Sequence, residues 1–148
     1  MMELWTAATP NGWKVNIMVE ELIEAGIEMP EMKIRSINLS KGEQFTDEFT
    51  EKNPNQKIPV LIDDTRSIME SCAILQYLGE KYPSPLLPSD GARWDVIPWV
   101  YWQAANVGPN FGNKLSYTSG GLCLLLPHTF AISDMVPGPY QIWARAHI

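Results

Sequence analysis

A proline inside an apolar run is the feature that most constrains this chain. In Asn53-Pro-Asn-Gln-Lys-Ile-Pro-Val-Leu-Ile-Asp63 the residues from Ile58 to Ile62 have strand character, but Pro59 has no N–H to give to a sheet ladder. Proline in sheets is confined to edges, bulges or the first residue of a strand, so a strand must begin at or just after Pro59. Two entries fit. Pro59 simply opens the strand, or the Ile58–Pro59 bond is cis, a state open to X-Pro bonds far more than to others. The second entry turns the backbone N–H and C=O of Ile58 outward, where an extended ligand can take both.

The stretch that follows extends this reading. Asp63-Asp64-Thr65-Arg66 is rich in turn formers, so residues 60–62 and 67–69 are predicted to be the two strands of a hairpin. A helix then carries Ala73, Ile74, Tyr77 and Leu78 on one face and ends at Glu80-Lys81 before Pro83. Ser71 is placed to cap it, and the unbonded N–H groups of a first helical turn attract anions. A ligand carboxylate could sit there with its ammonium on Glu70. Alternatively, Ser71 is an ordinary cap and Glu70 only complements the helix dipole.

Nearer the start, residues 3–8 form an apolar strand pattern, and Thr9-Pro10-Asn11-Gly12 turns into a helix with Val15, Met18, Val19 and Leu22 on one face, ending near Gly26. Asn11 suits the cap. Partial positive charge at that N-terminus would favour a thiolate brought to it, with Asn11 and Thr9 alongside; otherwise Asn11 is merely a cap and Thr9 a turn residue. Residues 32–38 supply a second strand and residues 43–49 a short helix before Pro54. The order strand, helix, strand, helix, strand, strand, helix describes an α/β unit, a four-stranded mixed sheet with helices on its faces. The thioredoxin-like fold has that order.

Thr9-Pro-Asn-Gly-Trp-Lys-Val15, Leu39-Ser-Lys-Gly-Glu-Gln44, Asn53-Pro-Asn-Gln-Lys-Ile-Pro59 and Glu70-Ser71, in this sequence order, resemble the N-terminal domain of glutathione transferases. The pattern is similar to that of the nu-class bacterial enzymes and their fungal nitrogen-regulator relatives. It continues into what resembles the start of the family's all-α second domain, at Gly91-Ala-Arg-Trp-Asp-Val-Ile-Pro-Trp-Val100 and Gly108-Pro-Asn-Phe-Gly112. The resemblance implies a thioredoxin-like glutathione-binding domain over residues 1–86 and an incomplete helical domain over 90–148. It implies glutathione as co-substrate, with Asn11 at its sulfur and Thr9 close by, Gln44 at its glycine end, the backbone of Ile58 before Pro59 on its cysteinyl residue, and Glu70 and Ser71 on its γ-glutamyl end. The other reactant would be a small electrophile or a disulfide, and the intact family architecture implies a homodimer.

The corner at residues 9–12 lacks the Cys-x-x-Cys of a thioredoxin or glutaredoxin, so any thiol chemistry falls to the ligand's sulfur. Cys72 and Cys123 are the two cysteines, and Cys72 is expected to be a small buried thiol. With 17 acidic against 11 basic residues the formal charge is −6, and no basic cluster appears, which argues against nucleic acid as a partner. No run approaches the roughly 20 apolar residues needed to cross a bilayer, and no leader pattern opens the chain, so a cytoplasmic protein is expected. His128 and His147 fall outside metal-ligand spacings, and no metal is expected. After Asn113 the helical periodicity is lost, and the chain resembles a family member lacking the middle of its helical domain. Trp94, Trp99, Trp102, Phe111 and Trp143 are then expected to be partly exposed. Two functions remain open: an enzyme that activates the glutathione thiol for conjugation or disulfide reduction, and a non-catalytic binding or regulatory module that keeps the fold.

Overall fold

The structure, a computed structural model, describes residues 1–112. Cys123, His128, Trp143, His147 and the expected loss of helical order after Asn113 lie outside the described residues. The chain divides into two compact units, Met1–Ser89 and Asp90–Ile148.

The first unit runs β1 (Met2–Thr6), α1 (Pro10–Glu24), β2 (Met32–Ser36), two 3₁₀ turns (Leu39–Lys41 and Glu43–Phe45), α2 (Asp47–Lys52), β3 (Val60–Asp63), β4 (Arg66–Met69) and α3 (Ser71–Lys81). Its sheet has the order β2-β1-β3-β4. The β1–β2 pair is parallel and the other two pairs are antiparallel. This is the thioredoxin-like arrangement. The strand expected over 32–38 is shorter, although the N–H of Ile37 still bonds Thr6 O at 2.8 Å. The helix expected over 43–49 breaks into a 3₁₀ turn and α2, because Thr46 adopts an extended backbone and caps α2 by accepting from the Phe49 N–H at 3.3 Å.

Alternation along the strands supplies two cores. Leu4 pairs with Leu61 and Trp5 with Val60 in the β1–β3 register, so adjacent residues point to opposite faces. On one face Met2, Leu4, Val15, Met18, Leu22, Leu61, Ile74, Leu75 and Leu78 are buried, drawn from β1, β3, α1 and α3. On the other, Trp5, Ile37, Phe49 and Val60 form a cluster with Ile58 and Ile62 packed against it, and the Trp5 and Phe49 rings meet edge-on at 6.1 Å. The inward face of α3 is Cys72, Ile74, Leu75, Leu78 and Gly79. Ala73, expected to face the core, is exposed, and Tyr77 lies at the margin. Tyr77 donates from its hydroxyl to Asp63 Oδ2 at 2.5 Å, and Lys81 forms an ion pair with the same carboxylate. This pairing ties α3 to β3. Gly79 is required by contact: a Cβ there would lie 2.7 Å from Leu87 Cβ.

In the second unit, α4 (Arg93–Trp102) contains Pro98 and passes into a π-helical turn at Gln103–Val107. Val96, Ile97 and Val100 are buried, while Trp94 is 70 % exposed and Phe111 61 % exposed. Among the described residues, no helix is long and apolar enough to cross a membrane.

Candidate functional site

The strand register determines which loops share an end of the sheet. Trp5, the penultimate residue of β1, pairs with Val60 at the start of β3, and Val60 pairs with Met69 at the end of β4. Thr6 pairs with Ser36 at the end of β2. The corner from β1 into α1, the turn after β2, the entry to β3 and the corner from β4 into α3 therefore gather at one edge. Those four segments hold Thr9 and Asn11, Gln44, Ile58 and Pro59, and Glu70 and Ser71 respectively.

At the first corner the cap of α1 is Thr9, not Asn11. Its extended backbone precedes Pro10 at the first helical position, where the fixed φ of proline suits a helix and its missing N–H costs nothing. Thr9 Oγ1 accepts from the Gly12 N–H at 3.3 Å. That bond uses an oxygen lone pair and not the hydroxyl hydrogen. Asn11 becomes the second residue of the helix and is exposed. Gly12 lets the helix approach the end of β1: a Cβ would stand 2.2 Å from Ala7 O and 2.4 Å from Thr6 Oγ1.

The Ile58–Pro59 bond is cis. Ile58 lies outside the β1–β3 ladder, which begins at Val60, and its side chain packs on the Trp5–Phe49 cluster. The loop presenting it is braced by Asn53, which is 2 % exposed. The Asn53 amide donates to Lys57 O at 2.6 Å, and its Oδ1 accepts from the Asn55 N–H at 2.9 Å. The Asn-Pro-Asn-Gln segment is thus a self-braced turn, a role for Asn53 that local propensity did not reveal.

Gln44 follows a turn held by Asn38, whose Oδ1 accepts from the Ser40 hydroxyl at 2.7 Å and whose N–H donates to Glu43 Oε2 at 2.7 Å. Gln44 Oε1 is buried with no hydrogen-bond partner. Because a half-turn exchanges the oxygen and nitrogen of a carboxamide, this group can offer a ligand either an acceptor or a donor.

At the β4–α3 corner Glu70, not Ser71, occupies the cap position, because the turn is made at φ 70° and ψ 117° and the helix begins one residue later. The Glu70 carbonyl accepts the first helical bond, from the Ile74 N–H at 2.9 Å, while its side chain makes no capping bond. A positive φ at a non-glycine residue is uncommon and tends to occur at functional sites. Glu70 is exposed, and Ser71 is buried in the first turn. Cys72 is 9 % exposed, and burial pushes its thiol pKa up against the lowering influence of Lys14 and a hydrogen bond from Ser71. It is the small buried thiol expected.

Lys14 was missed. It lies four residues before Met18 and eight before Leu22, on the apolar stripe of α1, and only 3 % of it is exposed. Burial lowers its pKa, while Cys72 and Glu70 act to raise it. A lysine in phase with a buried stripe was the available signal. Among the described residues, no three His, Cys, Asp or Glu side chains converge as metal ligands would.

The sequence matches the family described as glutathione S-transferase, N-terminal domain, over residues 1–80. It is 39 % identical over 124 residues to an uncharacterised GST-like protein of Streptococcus mutans, covering 78 % of this chain and 47 % of that protein. It is 40 % identical over 124 residues to the disulfide-bond oxidoreductase YghU of Escherichia coli, covering 78 % and 43 %. The chain thus spans about half the length of the curated relatives it matches. Among solved structures, the glutathione transferase YghU of Streptococcus pneumoniae, complexed with glutathione, superimposes with a TM-score of 0.73 at 36 % identity, covering 86 % of this chain and 50 % of the other. A Phanerochaete chrysosporium glutathione transferase with oxidized glutathione gives a TM-score of 0.68 at 30 % identity, covering 91 % and 59 %.

Proposed function

This chain belongs to the glutathione S-transferase family, and on that premise we propose that its first unit binds glutathione as co-substrate and activates the bound thiol. The observation that carries the reading is the meeting, at one end of the sheet, of the α1 N-terminus, the residue before a cis proline and the α3 N-terminus. Each offers what one part of an extended γ-glutamyl tripeptide needs. The backbone of Ile58 pairs with the cysteinyl residue, as strand addition pairs a peptide with an exposed backbone. The Ser71 hydroxyl and the first N–H groups of α3 take the γ-glutamyl carboxylate, and Glu70 takes the ammonium. The Gln44 amide, with its buried unbonded oxygen, faces the glycine end.

The sulfur then lies at the start of α1. Partial positive charge there, with hydrogen bonds from the Asn11 amide and the Thr9 hydroxyl, lowers the thiol pKa and raises the thiolate fraction. The thiolate attacks a soft electrophile, forming a C–S bond and expelling the leaving group. Alternatively it attacks a mixed disulfide, forming a new S–S bond and releasing the other sulfur as a thiolate that takes up a proton. Disulfide-bond oxidoreductases among the relatives favour the second substrate class. On the same reading the protein works in the cytoplasm as a homodimer.

Calorimetric titration of the folded chain with reduced and with oxidised glutathione tests the reading. Saturable heat with either is expected, and its absence at millimolar ligand refutes it.

A further inference from the structure

Lys57 and Ile58 share a peptide unit, and that unit joins the inside of the loop before β3 to its outer face. The inside is Asn53, which is 2 % exposed and has each of its polar groups engaged. Its N–H donates to the carbonyl of Phe49, a residue buried in the core, at 2.9 Å, and its own carbonyl accepts from the Gln56 N–H at 2.9 Å. Its Oδ1 accepts from the Asn55 N–H at 2.9 Å, and its side-chain amide donates to Lys57 O at 2.6 Å. The Lys57–Ile58 peptide is trans, so its C=O and N–H lie in one plane and point in opposite directions. Pinning Lys57 O onto the buried carboxamide therefore turns the Ile58 N–H away from it. That N–H precedes the β1–β3 ladder, which begins at Val60, while the Ile58 side chain is packed on the Trp5–Phe49 cluster. Two other bonds hold the loop without touching this peptide: Gln56 Nε2 donates to Thr50 Oγ1 at 3.0 Å, and the Ser67 hydroxyl donates to Lys52 O at 2.6 Å. Those bonds tie the loop to α2 and β4, whereas the Asn53 amide sets the direction of one peptide plane.

We propose that Asn53 is a positioning residue for the ligand: its side-chain amide, by holding Lys57 O, aims the Ile58 N–H at the carbonyl of the ligand's cysteinyl residue. The inference rests on the glutathione reading and deepens it, because it assigns to one buried side chain the orientation of a backbone donor that a peptide ligand must meet. Asn53 touches no ligand and acts through the peptide plane. Loss of its amide leaves the anion site at the start of α3 intact.

The test reads that donor directly. The amide resonances of Ile58 and Ser71 are followed by proton–nitrogen correlation NMR in the labelled full chain as reduced glutathione is titrated into the wild type, Asn53→Asp and Thr50→Val. In the wild type both amides are expected to shift on binding, Ile58 downfield as its N–H gains an acceptor. Asn53→Asp keeps the size of the side chain and an oxygen for the Asn55 N–H but donates nothing to Lys57 O. It should lose about fivefold in glutathione affinity, the net worth of one hydrogen bond, and at saturation its Ile58 shift should be less than half that of the wild type while the Ser71 shift persists. Thr50→Val, which removes the acceptor of the Gln56 bond, should keep both shifts. An unchanged Ile58 shift or unchanged affinity in Asn53→Asp overturns the proposal. Equal loss of both shifts also overturns it, since the asparagine then only holds the fold, and so does a Thr50→Val chain that loses the Ile58 shift as well. Should Asn53→Asp fail to fold, Asn53→Ser is measured in its place, and failure of both makes the residue structural and overturns the proposal. A wild type that binds glutathione with a shift at Ser71 and none at Ile58 refutes the role of Asn53 and leaves glutathione binding standing. A wild type that does not bind glutathione removes the glutathione reading itself, and the Asn53 proposal falls with it.

Discussion

Substituting Glu70 separates the cost of its backbone from the work of its carboxylate. Its φ of 70° and ψ of 117° lie where a non-glycine residue pays roughly 1–3 kcal/mol. The side chain makes no capping bond that a substitution could lose. Glu70→Ala removes the carboxylate and keeps the strain, whereas Glu70→Gly removes both. Lys14 loses the same favourable charge in either variant, so that term cancels between them. Glycine carries a penalty of about 0.5–1 kcal/mol against alanine from its greater freedom in the unfolded chain. Setting this against the strain leaves Glu70→Gly as stable as Glu70→Ala or more stable, by up to about 2.5 kcal/mol, against the usual order. Urea unfolding of the full chain reads the difference as a shift in midpoint at unchanged slope. Glutathione affinity should fall alike in both variants, by about 1–3 kcal/mol, or about 5- to 150-fold in Kd. Alanine more stable than glycine by the ordinary margin refutes the strain argument. Wild-type affinity in either variant refutes the role of the carboxylate.

At the α1 corner, Thr9→Ala should cost about 1 kcal/mol of stability through the lost cap, while Asn11→Ala, exposed and not the cap, should change stability by less than about 0.5 kcal/mol yet reduce glutathione-dependent turnover more than glutathione affinity. Denaturation and steady-state kinetics check the pair, and an unstable but fully active Asn11→Ala reverses the assignment. Burial pushes the Asp63 carboxyl up, but hydrogen bonds from Lys81 and Tyr77, with the Lys81 charge, hold it below the ordinary carboxylate range. A carboxylate depressed in this way adds stability above its unfolded pKa and loses it as pH falls through the folded value. Asp63→Asn should therefore be less stable than wild type at neutral pH, and the gap should close below about pH 4. Urea midpoints between neutral and acid pH measure it, and a gap independent of pH excludes the charge as its source.

The order of strands and helices in the first unit, the strand entry at Pro59 and the helix after Glu70-Ser71 were all legible in the sequence, because periodicity and the missing N–H of proline are local properties. The fold class followed from that order. Cap positions were less legible. Asn11 and Ser71 are both good capping residues, but a cap is defined by φ and ψ, and Pro10 and the turn at Glu70 each moved it one or two residues earlier. Ala73 and the break at Thr46 were misjudged for a similar reason: a face or a helix length estimated from a few residues yields to whatever packs against it. Only the tertiary structure could supply the register of Trp5 with Val60 and of Val60 with Met69, which brings segments more than 60 residues apart to one edge. Only the packing of α1 on α3 turns Lys14 from a lysine in a helix into a buried one. Propensity acts along the chain, whereas burial and electrostatics act through space, and the chemistry of this site depends on the second.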